Sequence, residues 1–266
     1  MHKHWILIIA WLLLAWPLAA AAAVPVGKVE VRIKGRIAVD PSGEVMEYRP
    51  SVDVPPGVEA MLQSMVRGWG FEPVVVEGRA VTAETGLLLV FDAWDKGGDQ
   101  LALRLKDVAF GAHEGGRALA PPPYPVEALR SGVNGKVVLL LRVDGEGDVL
   151  DVAVEQTSVS DRLPHDRARR YAEAFEKASM GVARRWRFGV RERVDGVPTG
   201  GTLRIPVEFF VGQHGSSLAP GPVRQAPWAP DLPTLPAEAL AALDSRDVRA
   251  VDSALRLIEP VIGATL

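Results

Sequence analysis

Hydrophobic and polar residues alternate strictly from Val29 to Lys34, with Val29, Val31 and Ile33 on one face and Glu30, Arg32 and Lys34 on the other. A period of two describes a half-buried antiparallel strand, and it runs on to Val39. Asp40-Pro41-Ser42-Gly43 supplies hairpin chemistry: proline fixes φ and glycine accepts a positive φ. The period then becomes helical. Val58, Leu62, Met65 and Trp69 fall at steps of four, three and four, one stripe of a helix. Pro55 and Pro56 suit its start, Gly68 and Gly70 its end. After Gly78, Val81 to Phe91 returns as a strand. A turn at Asp95–Gly98 leads into Leu101, Leu103 and Leu105, which alternate with Ala102, Arg104 and Lys106 in a further strand.

The same pattern is then stated a second time. Val137 to Val143 is a nearly continuous apolar run, the mark of a central strand. Val149, Val152 and Val154 continue as its hairpin partner after the Gly145–Gly147 turn. Tyr171, Phe175, Ala178, Val182 and Trp186 predict a longer helix that starts at Asp161 or Pro164. Leu203 to Val211 is the closing strand. In both copies a glycine leads into a strand ending Val-Asp (Val39-Asp40, Val143-Asp144). A helix then closes on Trp-x-Phe (Trp69 and Phe71, Trp186 and Phe188), and a second glycine turn (Glu77-Gly78, Asp195-Gly196) opens the last strand.

This internal repetition decides the architecture. The fold class is α+β: two tandem small antiparallel-sheet units, each with one packed amphipathic helix. Two copies are too few for a solenoid, so each is expected to bury its own core, with Trp69, Phe71, Trp186 and Phe188 as anchors. The boundaries are a targeting segment over 1–23, a first unit over 24–111, a Gly/Ala/Pro-rich linker over 112–120, a second unit over 121–211, and a Pro-rich arm with short helices over 212–266. Val126 to Arg130 makes one helical turn stopped by Gly132. Pro206 lies inside the closing strand, where it cannot donate to a ladder on both sides. Leu203 to Val211 is therefore a sheet edge or carries a bulge. In the arm, Leu240 and Leu243, then Val248, Val251, Leu255 and Ile258, predict two short amphipathic helices, the second capped by Asp244 or Ser245.

Charge is nearly balanced, 30 Lys+Arg against 33 Asp+Glu, which excludes the strongly basic profile of a nucleic-acid binder. The stretch from Arg162 to Arg193 is locally basic; it reads as a solvated helix face or as a docking surface for anionic lipid or an acidic partner. There is no cysteine, so disulfides, thiol catalysis and Cys-type metal sites are excluded. Lys3, the apolar run Trp5–Trp16, Pro17 and the small residues Ala19–Ala23 read as an export signal cleaved near Ala23, or as a retained anchor. No phosphate loop, nucleophile elbow or metal-ligand spacing appears. His165-Asp166 is a lone pair at a helix start and reads as a cap rather than a metal ligand, and His113 and His214 have no carboxylate at ligand spacing. Asp40 and Asp144 each precede a tight turn, where Asp bonds local backbone. The expectation is a non-enzyme without catalytic residues, metal or cofactor.

Pro121-Pro122-Pro123-Tyr124-Pro125, then Ala128, Gly132 and Gly135, Val143-Asp144 through Gly147-Asp148-Val149, Trp186-Arg187-Phe188 and Pro206-Val207-Glu208-Phe209 occur in one order. Together they make the chain from Pro121 to Val211 resemble the C-terminal domain of TonB-type energy transducers. The first copy, Lys28 to Phe91, is similar but lacks the Tyr-Pro lead-in. The resemblance implies an antiparallel sheet of about three strands with helices on one face. It also implies capture of an extended peptide of an outer-membrane transporter by strand addition, in energised transmembrane transport. Partner-binding residues would then be Tyr124, Pro125, Leu203, Arg204, Ile205, Val207 and Phe209, in agreement with the edge inferred from Pro206. A proline at Val207 or Phe209 would remove a pairing group if that N–H faces outward.

The implied setting is the periplasm of a Gram-negative cell, with a protein partner and, if the N-terminal segment is retained, membrane association. The alternative is an envelope interaction or assembly protein that reuses the fold without coupling to a proton motor. Family transducers carry a membrane helix with a polar histidine face and a long proline-rich spacer. Here His2 and His4 precede the apolar run, and Val24 to Lys28 reaches no more than roughly 20 Å.

Overall fold

A computed structural model describes residues 29–97, 100–111, 119–211, 217–243 and 248–263. The expected export segment, most of the expected linker with His113, His214 and the expected Asp244/Ser245 cap lie outside the described residues. In the first unit β1 (Val29–Val39) turns into β2 (Val45–Pro50), and α1 (Pro56–Arg67) follows. A small hairpin, β3 (Val74–Val76) and β4 (Arg79–Val81), leads into the long strand β5 (Ala83–Gly97), and β6 (Gln100–Phe110) folds back on it. β1 lies between β2 and β5, antiparallel to both. Leu62 and Val66 of α1 seat on Ile37, Leu87, Leu89 and Phe91, with Phe71 beside them, all fully buried. Trp69 stands just past the helix end and is also buried.

The second unit opens with α2 (Val126–Arg130), then β7 (Gly135–Val143), β8 (Val149–Ser160) and the long helix α3 (His165–Ala183). The hairpin β9 (Glu192–Val194) and β10 (Val197–Thr199) precedes β11 (Gly201–Phe209). β7 is central, antiparallel to β8 and β11. One face of the sheet packs Val137, Leu139, Leu141, Ile205, Val207 and Phe209 against Tyr171, Phe175 and Val182 of α3, with Trp186 and Phe188 closing the core. At Gly135 a Cβ would lie 2.5 Å from the Phe175 ring, so only glycine lets the helix approach this closely.

The two units share one local device. Asp40 Oδ1 accepts the N–H groups of Ser42 and Glu44, and Asp144 Oδ1 accepts those of Glu146 and Asp148. Gly43 and Gly147 then adopt φ of +91° and +87°. Their carbonyls accept the N–H of Phe71 at 2.9 Å and of Phe188 at 2.8 Å. A Cβ at either glycine would collide with that phenylalanine's carbonyl oxygen, at 2.0 and 1.8 Å. The Val-Asp, glycine and Trp-x-Phe signals are thus parts of one clip between turn and helix exit. The Ser42 hydroxyl, foremost, and the Glu44 N–H hold the Asp40 carboxyl below its ordinary range.

Two features depart from the pattern. First, β9 pairs with Ala83–Thr85 of β5, extending the first unit's sheet with a hairpin from the second. β6 pairs with β5 only from Leu87 onward, and β9 fills the remaining edge.

Second, the C-terminal tail is a belt around the second sheet. β12 (Leu218–Pro220) pairs with the outer edge of β8. The chain then crosses the face opposite α3, where Ala226, Trp228 and Leu232 cover Leu140 and Ala153. α4 (Ala237–Ala242) buries Leu240, and β13 (Arg249–Ala250) pairs with β11. The belt's carbonyls accept from buried donors on that face: Gln156 donates to Gly221 O and Ala237 O, and Lys136 to Ala241 O and Leu243 O.

The second helix expected in the tail is absent: residues 248–263 are a strand and bends. Their apolar spacing serves three destinations instead of one helical face. Val251 joins the covered face of the second sheet, Leu255 enters the first unit's core, and Ile258 is exposed. No helix among the described residues is long and apolar enough to cross a membrane.

Candidate functional site

Strand β11 has one edge on β7 and the other turned outward. Thr202 fixes which groups point where. Its carbonyl accepts the Val251 N–H at 2.9 Å, and its N–H donates to both Asp252 carboxylate oxygens at 2.7 and 2.9 Å. Because strand backbone groups alternate, Thr202, Arg204, Pro206 and Glu208 face outward, while Leu203, Ile205, Val207 and Phe209 bond to β7. The missing N–H of Pro206 therefore falls on the outer edge, where no ladder bond within the sheet is lost. Among the described residues only Arg249 and Ala250 pair with this edge, opposite Arg204 and Leu203.

The side chains singled out from the sequence lie elsewhere than on a recognition surface. Leu203, Ile205, Val207 and Phe209 are buried beneath α3. The N–H groups of Val207 and Phe209 face β7, so proline there attacks the sheet, and Glu208 is the outward position for such a test. Arg204 is buried on the opposite face, donating to Glu155 at 2.6 and 2.7 Å and to Pro233 O at 2.9 Å. Tyr124 stacks edge-on against Phe175 and Phe209 and donates its hydroxyl to Val133 O at 2.7 Å. Burial raises its phenol pKa. Tyr124 and Pro125 also line an open, mostly apolar groove of about 550 Å³ against α3, with Lys177 and Arg185 at its rim. Sequence reasoning thus pointed to a strand and its lead-in, and the Leu203, Ile205, Val207 and Phe209 side chains of that strand are buried.

What it missed sits where the edge begins. Arg191 is 3% exposed and donates to Gly200 O at 2.8 Å and to Asp252 at 3.2 Å. Glu192, also buried, accepts the Ser253 hydroxyl and the Ala254 N–H. These groups lie about sixty residues apart, so no spacing signal could have paired them. Among the described residues no cluster of three or more metal-ligating side chains forms.

Residues 120–211 match the family model described as Gram-negative bacterial TonB protein C-terminal. This segment is a TonB C-terminal domain. Its β8–β7–β11 sheet with α3 on one face is the mixed α+β, antiparallel architecture of that domain. Curated relatives named Protein TonB, from two strains of Xanthomonas campestris pv. campestris, are each 33% identical over 103 residues. The match covers 39% of this chain and 40% of theirs, so the chain spans well under half the length of these relatives. No solved structure matches at a significant level. The belt, with β12 on one edge of the TonB C-terminal domain and β13 on the other, lies outside the matched residues.

Proposed function

We propose that this protein acts as a TonB-like component of energised outer-membrane transport in a Gram-negative envelope, where its second unit binds an extended peptide segment of a transporter by strand addition to β11. The observation that carries this reading is the outer edge of β11 itself. It belongs to a TonB C-terminal domain, it tolerates Pro206 at an outward position, and beyond Arg204 no strand among the described residues pairs with it. Main-chain hydrogen bonds to an open edge supply affinity in this mode of recognition. The reading includes a periplasmic location, an export segment over 1–23, two related units in tandem, and no catalytic role. An envelope-assembly role without a proton motor is the second reading; in its favour, the tail already occupies Thr202 and Arg204.

The test is titration of a synthetic N-terminal segment of an outer-membrane transporter against wild type, Glu208→Pro and Lys177→Ala. Proline at Glu208 deletes an outward donor. Loss of about tenfold in affinity for that variant alone supports the edge; a hydrogen bond of roughly 1.4 kcal/mol corresponds to that factor. Equal affinity in wild type and Glu208→Pro, after confirming that the variant is folded, rules the edge out.

A further inference from the structure

The half of the β11 edge nearest Thr202 is occupied by the protein's own tail. Arg249 and Ala250 pair with Arg204 and Leu203, and the Val251 N–H bonds Thr202 O. Beyond them the Asp252 carboxylate takes the place a further backbone carbonyl would hold, accepting the Thr202 N–H on both oxygens. That carboxylate rests on the buried guanidinium of Arg191. Two glycines make the room: a Cβ at Gly201 would lie 1.6 Å from Arg191 Nη2, and one at Gly111 2.7 Å from Nη1. Arg191 Nε and Nη1 have no partner among the described residues, so the cradle offers more donors than Asp252 uses.

We propose that residues 249–252 are an internal stand-in for the partner strand, and that an incoming extended segment must bring a carboxylate of its own to replace Asp252 on Thr202 and Arg191. This rests on the strand-addition reading and adds to it a closed state and an acidic ligand class. The strap is built to exchange. Among the described residues it pairs over Arg249 and Ala250, and the Asp252 side chain is 40% exposed. A neutral segment would leave the buried Arg191 cation without its carboxylate, an arrangement that low-dielectric surroundings penalise. Leu255, buried in the first unit's core, and Glu192, which holds Ser253 and Ala254, tether the strap so that it closes again when the ligand leaves.

The probe is a fluorescent peptide copying Val248–Ala254, with and without Asp252→Asn. It is titrated against the full chain as wild type and as two strap variants. Val251→Pro deletes the N–H that holds Thr202 O; Asp252→Asn leaves the backbone intact and serves if the proline variant fails to fold. Because apparent affinity scales with the fraction of open sites, the parent peptide should bind the strap variants at least about tenfold more tightly than wild type. The peptide carrying Asp252→Asn should lose about tenfold on the same variants, the scale of one charge-assisted hydrogen bond. Equal binding to wild type and variants, no binding to any of them, or indifference to the carboxylate overturns the proposal. A transporter segment that fails on the opened variants while the strap peptide binds would refute the transporter reading and leave the strap standing.

Discussion

Replacing Arg204 with methionine tests how the belt holds the second sheet. Arg204 and Glu155 form a two-pronged ion pair at 2.6 and 2.7 Å, with side chains 9% and 1% exposed. Arg204 also donates to Pro233 O, tying the arm to the face opposite α3. Arg204→Met strands the Glu155 carboxylate in a site closed to water, and breaking one partner of such a pair costs about 3–5 kcal/mol. That is a large share of the roughly 5–15 kcal/mol that holds a domain folded. The double variant Arg204→Met/Glu155→Leu removes the stranded charge and leaves only the Pro233 carbonyl unpaired, so it should recover to within about 2 kcal/mol of wild type. Urea unfolding followed by tryptophan fluorescence measures all three variants, and limited proteolysis of the arm reports its release. A single variant that costs under about 1 kcal/mol, or single effects that simply add in the double, would refute the buried-pair reasoning.

Gly147→Ala should destabilise by at least about 2 kcal/mol, since it combines a positive φ with a backbone collision at Phe188; equilibrium unfolding checks it. Tyr124→Phe should cost about 1 kcal/mol at neutral pH through loss of the hydrogen bond to Val133. The folded-state pKa of Tyr124 is raised by burial above the ordinary phenol value of about 10. Its contribution is therefore complete below that value and is lost as pH rises through the folded-state pKa, so the phenylalanine variant should lose less stability than wild type over that alkaline range.

The strands and helices of both units were legible because each buries one face, which writes a period of two or of 3.6 into the sequence. The Asp-turn and Trp-x-Phe signals were legible because one clip demands those residues together. The β9 hairpin left no such trace: Glu192-Arg193-Val194 is short and polar, and its place is set by the vacant end of β5. The tail misled by its spacing, because Val251, Leu255 and Ile258 serve different surroundings. Pro206 pointed to a strand whose outer side pairs, among the described residues, with Arg249 and Ala250. The alternation of backbone groups, which makes Glu208 rather than Val207 the outward position, needed the register fixed by Thr202 and the strap.

The most direct test of the β11 edge is amide hydrogen exchange on the full chain during titration with an outer-membrane transporter's N-terminal segment. Strand addition predicts that the Glu208 N–H gains protection while those of Ile205 and Val207, already paired with β7, stay as they were. Protection confined to the groove between Tyr124 and Arg185, or binding with no change at Glu208, would contradict it.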